Sequence, residues 1–232
     1  MKPNKKELCY ESLKHRILTL NIEPGIVLDE TAIAVEYELS RTPLREIFQR
    51  LAGEGYVAME NNRSTKVASM DINSMRNFFQ TAPLVYASVA RLAAENSTVS
   101  QLKELKKIQI TFLKSCEQGD VEAMSMNNHA FHEQLGEMAG NPYLKPSLKR
   151  LLIDHTRISQ MFFQAKNAKE EVIISKASHH HDLMIEAIEK RSPADIVELT
   201  MAHWELSRDR MEQFVRPDPL PIDINSFKAS NF

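Results

Sequence analysis

Along the first 70 residues the apolar positions fall into three short groups at helical spacing, followed by an alternating stretch. Tyr10, Leu13, Ile17 and Leu20 mark an amphipathic first helix closed by a Pro24-Gly25 turn. Leu28, Ala32, Ile33 and Val35 mark a short second helix, and Leu44, Ile47, Phe48 and Leu51 give a third its buried face. Tyr37-Glu38-Leu39 is the turn between the second and the third. Thr42 suits an N-cap and Pro43 the first helical position, where its missing N–H costs nothing. Gly53 and Gly55 punctuate the helix end, and Tyr56 and Val57 begin an extended segment. Val57, Met59 and Val67 predict a small hairpin with Asn61-Asn62 as a primed turn, and Arg63, Ser64, Thr65 and Lys66 at its tip.

From Asp71 onward the pattern changes. Strand signals vanish, Gly is scarce and apolar residues recur every three or four positions. Six helices are predicted, over about 71–96, 98–117, 120–139, 142–166, 168–190 and 192–213. Their boundaries lie at Asn96-Ser97-Thr98, Gly119-Asp120, Gly140-Asn141-Pro142, Asn167 and Ser192-Pro193. Thr98, Asp120, Asn141 and Ser192 suit N-caps, and Pro142 and Pro193 suit first turns. Pro83 inside the first of these helices should kink it. The stretch from Val215 onward carries three prolines and reads as irregular. The expected fold class is mostly α: a helix-turn-helix unit with a small β-hairpin over 1–70, an all-α bundle of about six helices over 71–214, and a tail over 215–232.

Composition alters this picture little. Of 232 residues 43% are hydrophobic and 26% charged, the balance of an ordinary soluble protein. The net charge of -2 supplies no global basic field for nucleic acid, so any DNA contact must come from local placement of Arg and Lys. Two cysteines, Cys9 and Cys116, make no disulfide framework and suit a reducing cytoplasm. The start of the chain, MKPNKKELCYESLK, has no apolar signal region, and no apolar run could span a bilayer. A cytoplasmic protein without a membrane partner is expected. Local placement is favourable in one region: Ser40, Arg41, Thr42, Arg45 and Gln49 gather on the outward, N-terminal side of the third helix. There Arg can reach guanine O6 and N7 in a major groove. Taken alone, such arginines more often describe a solvated helix face.

The chemistry of the second region lies in its histidines. His132 follows Asn128 by four residues, so both project from one helix face. His181 stands beside the apolar stripe of HHHDLMIEAI, and His203 precedes Trp204 in MAHWELSRDRM. Spacing alone leaves two readings open. These are surface or hydrogen-bonded core histidines, or they converge as a three-imidazole metal site with room for an exogenous ligand. His129, His179 and His180 are expected to face elsewhere.

The segment PGIVLDETAIAVEYELSRTPLREIFQRLAGEGYV, with SRTPLRE, QRL and EGYV its most specific pieces, resembles the DNA-binding domain of the GntR family of bacterial transcription regulators. The likeness implies a winged helix-turn-helix over 1–70 whose Ser40, Arg41, Thr42, Arg45, Gln49, Arg63 and Lys66 contact double-stranded DNA. Glu38 stands where such turns usually carry Gly. The region from Ile72 to Phe214 is similar to the FCD-type effector domain of the FadR-like subfamily, which often binds a metal through an Asp-x-x-x-His pair and two later histidines. NHAFHEQLGEMAGNPYL, HDLMIEAIEK and PADIVELTMAHWE match its three segments. The likeness thus implies that His132, His181, His203 and Asn128 hold a divalent metal (Zn, Ni or Mn), with no organic cofactor. It further implies a homodimer on a near-palindromic operator, a small carboxylate effector near the metal, and repression relieved by that ligand.

Three departures qualify the second likeness. Asn128 replaces the usual Asp and brings no charge. Ala82 and Tyr86 stand where an Arg and a Glu four residues later are common, and Pro83 lies between them. Two other classes stay open on the residues. One is a bundle that only dimerises. The other is a His₃ zinc hydrolase, which lacks any HExxH-like general base.

Overall fold

The structure, a computed structural model, describes residues 4–59 and 64–215. It opens with three helices, α1 (Lys5–Leu18), α2 (Glu30–Glu36) and α3 (Arg41–Glu54), followed by a two-stranded antiparallel hairpin of β1 (Val57–Met59) and β2 (Thr65–Val67). Leu44, Ile47, Phe48 and Leu51 of α3 bury against Cys9, Tyr10, Leu13 and Ile17 of α1. Full burial of such side chains stabilises by roughly 1.5–3 kcal/mol each. Val57 faces Val67 in the hairpin register, and both strands close onto this small core.

Several local expectations are corrected. The N-cap of α3 is Ser40, with extended backbone, rather than Thr42; Pro43 becomes the third helical residue, still within the turn whose N–H groups need no intrahelical partner. Leu20 falls beyond α1 with φ 61, and Val35 is 74% exposed. Thr65 is fully buried inside β2, not at a wing tip. Asn61-Asn62 and Arg63 lie outside the described residues. Glu38 does take φ 51, the conformation that makes Gly common in such turns.

Six helices follow: α4 (Ile72–Asn96), α5 (Val99–Gln118), α6 (Val121–Ala139), α7 (Leu144–Phe162), α8 (Ala168–Glu189) and α9 (Pro193–Val215). Thr98 and Gln101 form a capping box at α5, Asp120 caps α6, and Pro193 opens α9. Pro142 does not open α7. Asn141 Oδ1 accepts from the N–H groups of Tyr143 and Leu144, which delays the helix to Leu144. α4 runs through Pro83 as one helix. Its buried stripe of Ala82, Tyr86, Val89, Ala90 and Ala93 is mostly small, which lets α6 and α9 approach closely. The stretch 216–232, where an irregular tail was expected, lies outside the described residues. Among the described residues no helix is long and apolar enough to cross a membrane.

α7 joins the two groups of elements. Its Ile153 is buried in the same apolar cluster as α1 and α3. Arg157, fully buried, donates to the Ala68 carbonyl just after β2 (2.7 Å) and to Asp154 (2.6 Å). The Arg150 side chain lies directly over Gly55, the left-handed residue that ends α3. A Cβ there would collide with it.

Candidate functional site

The bundle brings together His132 from α6, His181 from α8 and His203 from α9. Their candidate ligand nitrogens all lie within 4.8 Å of one another. His132 and His181 are 2% and 0% exposed. Burial holds all three imidazoles neutral: it pushes His132 and His181 well below the usual histidine range, helped by the neighbouring imidazoles, and His203 down to about 3. Neutral imidazole is the metal-binding form.

The hydrogen bonds around the cluster leave its inner nitrogens open. Gln109 Nε2 donates to the Ser178 carbonyl (3.2 Å) and to Asp182 (2.9 Å), which turns its Oε1 toward His181 Nδ1 at 3.2 Å. Nδ1 therefore carries the proton and Nε2 keeps its lone pair, a second contact of the kind that orients metal-bound histidines. That Nε2, both ring nitrogens of His132 and Nδ1 of His203 are buried without a hydrogen-bond partner. Four orphaned acceptors or donors at one place are costly unless something binds them. Phe131 stacks on His181 at 3.9 Å and 6°, closing the other side.

Asn128, one turn before His132, is also buried. Its Nδ2 donates to Ser159 Oγ (3.2 Å), whose own proton goes to the His155 carbonyl (2.9 Å). The amide orientation is thereby set, and Oδ1 is the atom left over. Asn128, His155, Ser159, His203, Trp204 and Ser207 line a narrow cleft beside the imidazoles with a free volume of about 30 Å³. Its remaining walls, Ile158, Phe162, Phe163 and Ala177, are apolar. His155 on α7 was not singled out in the sequence. Its Nδ1 lies 2.9 Å from the hydroxyl of Tyr86 on α4, and its ring centroid 4.8 Å from that of His132. Trp204 packs edge-on to Tyr86 at 5.0 Å.

The other histidines divide. His129 turns away and meets Thr156 Oγ1 at 2.6 Å. His179 is exposed, whereas His180 is half-buried with its ring 5.8 Å from His203, closer to the cluster than expected.

In the N-terminal unit Ser40, Arg41, Thr42, Arg45 and Gln49 are all exposed along the outer face of α3. Arg41 and Arg45 make no ion pair among the described residues. Arg50, one turn on, is occupied instead: it stacks 3.4 Å from the Tyr10 ring centroid and pairs with Glu7 and Glu54. Lys66 is half-buried in β2 opposite Ala58, and Arg63 is outside the described residues.

Comparison with known proteins agrees with this arrangement. Residues 5–67 match the model of the bacterial regulatory proteins of the gntR family, and residues 84–206 match the FCD domain. The gluconate operon transcriptional repressor of Bacillus subtilis is 24% identical over 220 residues, which cover 88% of this chain and 84% of that protein. The HTH-type transcriptional repressor RspR of Escherichia coli K12 is 26% identical over 192 residues, 83% of this chain and 82% of that protein. Among solved structures, E. coli McbR/YncC superposes with a TM-score of 0.76 at 18% identity over 91% of this chain and 98% of that one, a likeness of fold. The family and these relatives are transcription regulators rather than enzymes. With a winged helix-turn-helix head and an FCD domain matched in order along its length, the chain belongs to the GntR family of bacterial transcription regulators, in its FadR-like branch.

Proposed function

We propose that the protein is a ligand-responsive repressor that binds a near-palindromic operator as a homodimer through α3. In this reading 1–70 is the DNA-reading unit, with Arg41 and Arg45 as base or phosphate contacts and Lys66 as a flanking one. The unit over 71–214 dimerises and senses a small carboxylate. His132, His181 and His203 hold a divalent ion (Zn, Ni or Mn), with Asn128 Oδ1 as a neutral fourth ligand. When bound, the ion supplies the positive charge and open coordination positions that attract the acid.

The observation that carries this reading is the set of buried, neutral, unpartnered imidazole nitrogens within 4.8 Å of one another, with His203 also lining the adjoining cleft. A dimerisation bundle without a ligand has no reason to bury them so. α7 supports the coupling: it lines the cleft with His155, Ser159 and Phe162, and holds the head with Arg150, Ile153 and Arg157. An acid that displaces α7 changes the orientation of α3, and so DNA affinity.

Elemental mass spectrometry on protein purified without added metal tests the site directly. About one equivalent per chain is expected. Trp204, the single tryptophan, lines the cleft, so its emission then reports acid binding. No metal after reloading with Zn, Ni or Mn, together with unchanged emission across small acids, would leave a purely dimerising bundle.

A further inference from the structure

A second and much larger pocket lies between α5, the start of α6 and α8, bounded at one end by the residues that follow α7. Its free volume is about 810 Å³, within the range of small-molecule sites. None of the three clustered imidazoles borders it. Leu113, Val121, Met124, Phe163 and Ile174 make its floor apolar.

The rim is negative. Glu117, Glu171 and Asp182 stand on it, and no Lys or Arg does among the described residues. Glu117 and Glu171 make no ion pair among those residues, and Asp182 accepts from a neutral amide, Gln109 Nε2 at 2.9 Å. The one basic side chain on the border is the exposed imidazole of His179.

Exposed carboxylates alone describe a solvated surface. Ser178, which also lines the pocket, points further. It is 7% exposed, and its hydroxyl has no hydrogen-bond partner. A helical serine commonly donates to the carbonyl four residues earlier, as Ser125 and Ser159 do in this bundle. Ser178 leaves that bond unmade, although an orphaned buried hydroxyl is costly. An apolar floor, a free inner hydroxyl and unpaired negative charge at the rim suit one chemistry. An ammonium donates to Ser178 Oγ and to the Asp182 carboxylate, while an apolar body covers Leu113 and Phe163.

We propose that this pocket is a second ligand site, separate from the imidazole cluster, for a small amphiphilic organic cation: a primary ammonium on an alkyl or aryl body.

Three molecules of one skeleton test it: phenethylammonium, phenethyl alcohol and phenylacetate, titrated calorimetrically into the full chain. Phenethylammonium should bind at least about ten-fold more tightly than the alcohol, the margin of a charge-assisted over a neutral hydrogen bond, and phenylacetate most weakly. Cys116 is half-buried on the border and Cys9 is fully buried, so alkylation of Cys116 by iodoacetamide should slow as the pocket fills. Ser178→Ala should weaken the ammonium about five-fold without lowering the melting temperature, because no bond within the chain is lost. Glu117→Gln/Glu171→Gln combined with Asp182→Asn should bring the ammonium within about three-fold of the alcohol. Equal binding of ammonium and alcohol, tighter binding of phenylacetate, or no heat from any of the three would overturn the assignment. Heat without protection of Cys116 would put the cation elsewhere and overturn it too. A Ser178→Ala variant that binds normally but melts lower would make the hydroxyl a structural group, against the proposal. If Leu113→Glu turned a dimer into a monomer while the pocket stayed closed to all three molecules, its occupant would be a second copy of the chain and the proposal would fail.

Discussion

Replacing Arg157 by Met keeps the bulk of the side chain and removes its charge. Arg157 is fully buried, and its two guanidinium nitrogens serve the Ala68 carbonyl and Asp154. Two losses follow. The half-buried Ala68 carbonyl is left without that donor, which costs about 1 kcal/mol, the low end of the range for a fully buried acceptor. Asp154, only 10% exposed, loses its closer cation, and breaking a buried pair from one side costs about 3–5 kcal/mol. Arg150 remains 3.2 Å from Asp154 and moderates the second loss, while the new methyl thioether recovers some packing. A net destabilisation of about 3 kcal/mol is expected, or a melting temperature lower by about 6–12 °C in a chain of this length. Thermal melts followed by circular dichroism, with urea titrations beside them, measure it. The double variant Arg157→Met/Asp154→Leu removes both charges and should regain most of the loss, because a pair replaced by well-packed apolar groups is often neutral. A single variant within about 1 kcal/mol of the unaltered protein would refute the reasoning, since the guanidinium would then not be tying α7 to the segment after β2.

Arg45→Ala should weaken operator binding by roughly 1–3 kcal/mol without lowering the melting temperature; an unchanged affinity at fixed salt would take Arg45 off the DNA. Gly55→Ala should destabilise by about 1–3 kcal/mol, because φ 92 disfavours a Cβ and Arg150 stands where it would project; a neutral change in a urea titration would show that Arg150 yields freely. Asn128→Asp should tighten metal binding, and competition against a chelator showing no gain would remove Asn128 from the ion. In metal-free protein, His132 and His181 stay neutral below their ordinary value of 6.5 while the unfolded chain takes up protons. Stability is therefore complete above about pH 6.5 and falls below it, by up to about 1.4 kcal/mol per pH unit for each ring; a flat melting profile between pH 7 and 5 would contradict their burial.

Much of the architecture was legible because periodicity and punctuation are local. The six helices of the bundle follow the three- and four-residue spacing of their apolar positions, and Thr98, Asp120 and Pro193 mark their ends as expected. Two of the misplaced boundaries share one cause, neighbouring residues able to do the same job. Ser40 and Thr42 can both cap α3, and Asn141 satisfies the N–H groups that Pro142 was expected to make unnecessary. Val35 and Thr65 reversed their expected exposure, since a seven-residue helix and a three-residue strand carry too little pattern to fix a face. The three histidines came from motif likeness; their open nitrogens could not, because Gln109 lies 72 residues from His181. His155 and Arg157 escaped altogether. Their partners, Tyr86 and Ala68, are 69 and 89 residues away. The run DHTRISQ did carry a hint: Asp154, Thr156, Arg157, Ser159 and Gln160 are all buried on one helix, and so many hidden polar groups require internal partners.

The two faces of α7 have a thermodynamic corollary. Arg150, Ile153, Asp154 and Arg157 form one stripe, toward the head; His155, Ile158, Ser159 and Phe162 form another, toward the cleft. The second repeats the first five residues later, about 140° around the same axis. A rigid cylinder cannot roll on one side alone. If the bundle senses an acid as proposed, whatever factor that acid imposes on operator affinity, the operator must impose on affinity for the acid. Protein seated on its promoter and protein free in solution would then answer to different concentrations of the same metabolite, and the threshold for derepression would belong to the occupied promoter rather than to the regulator by itself.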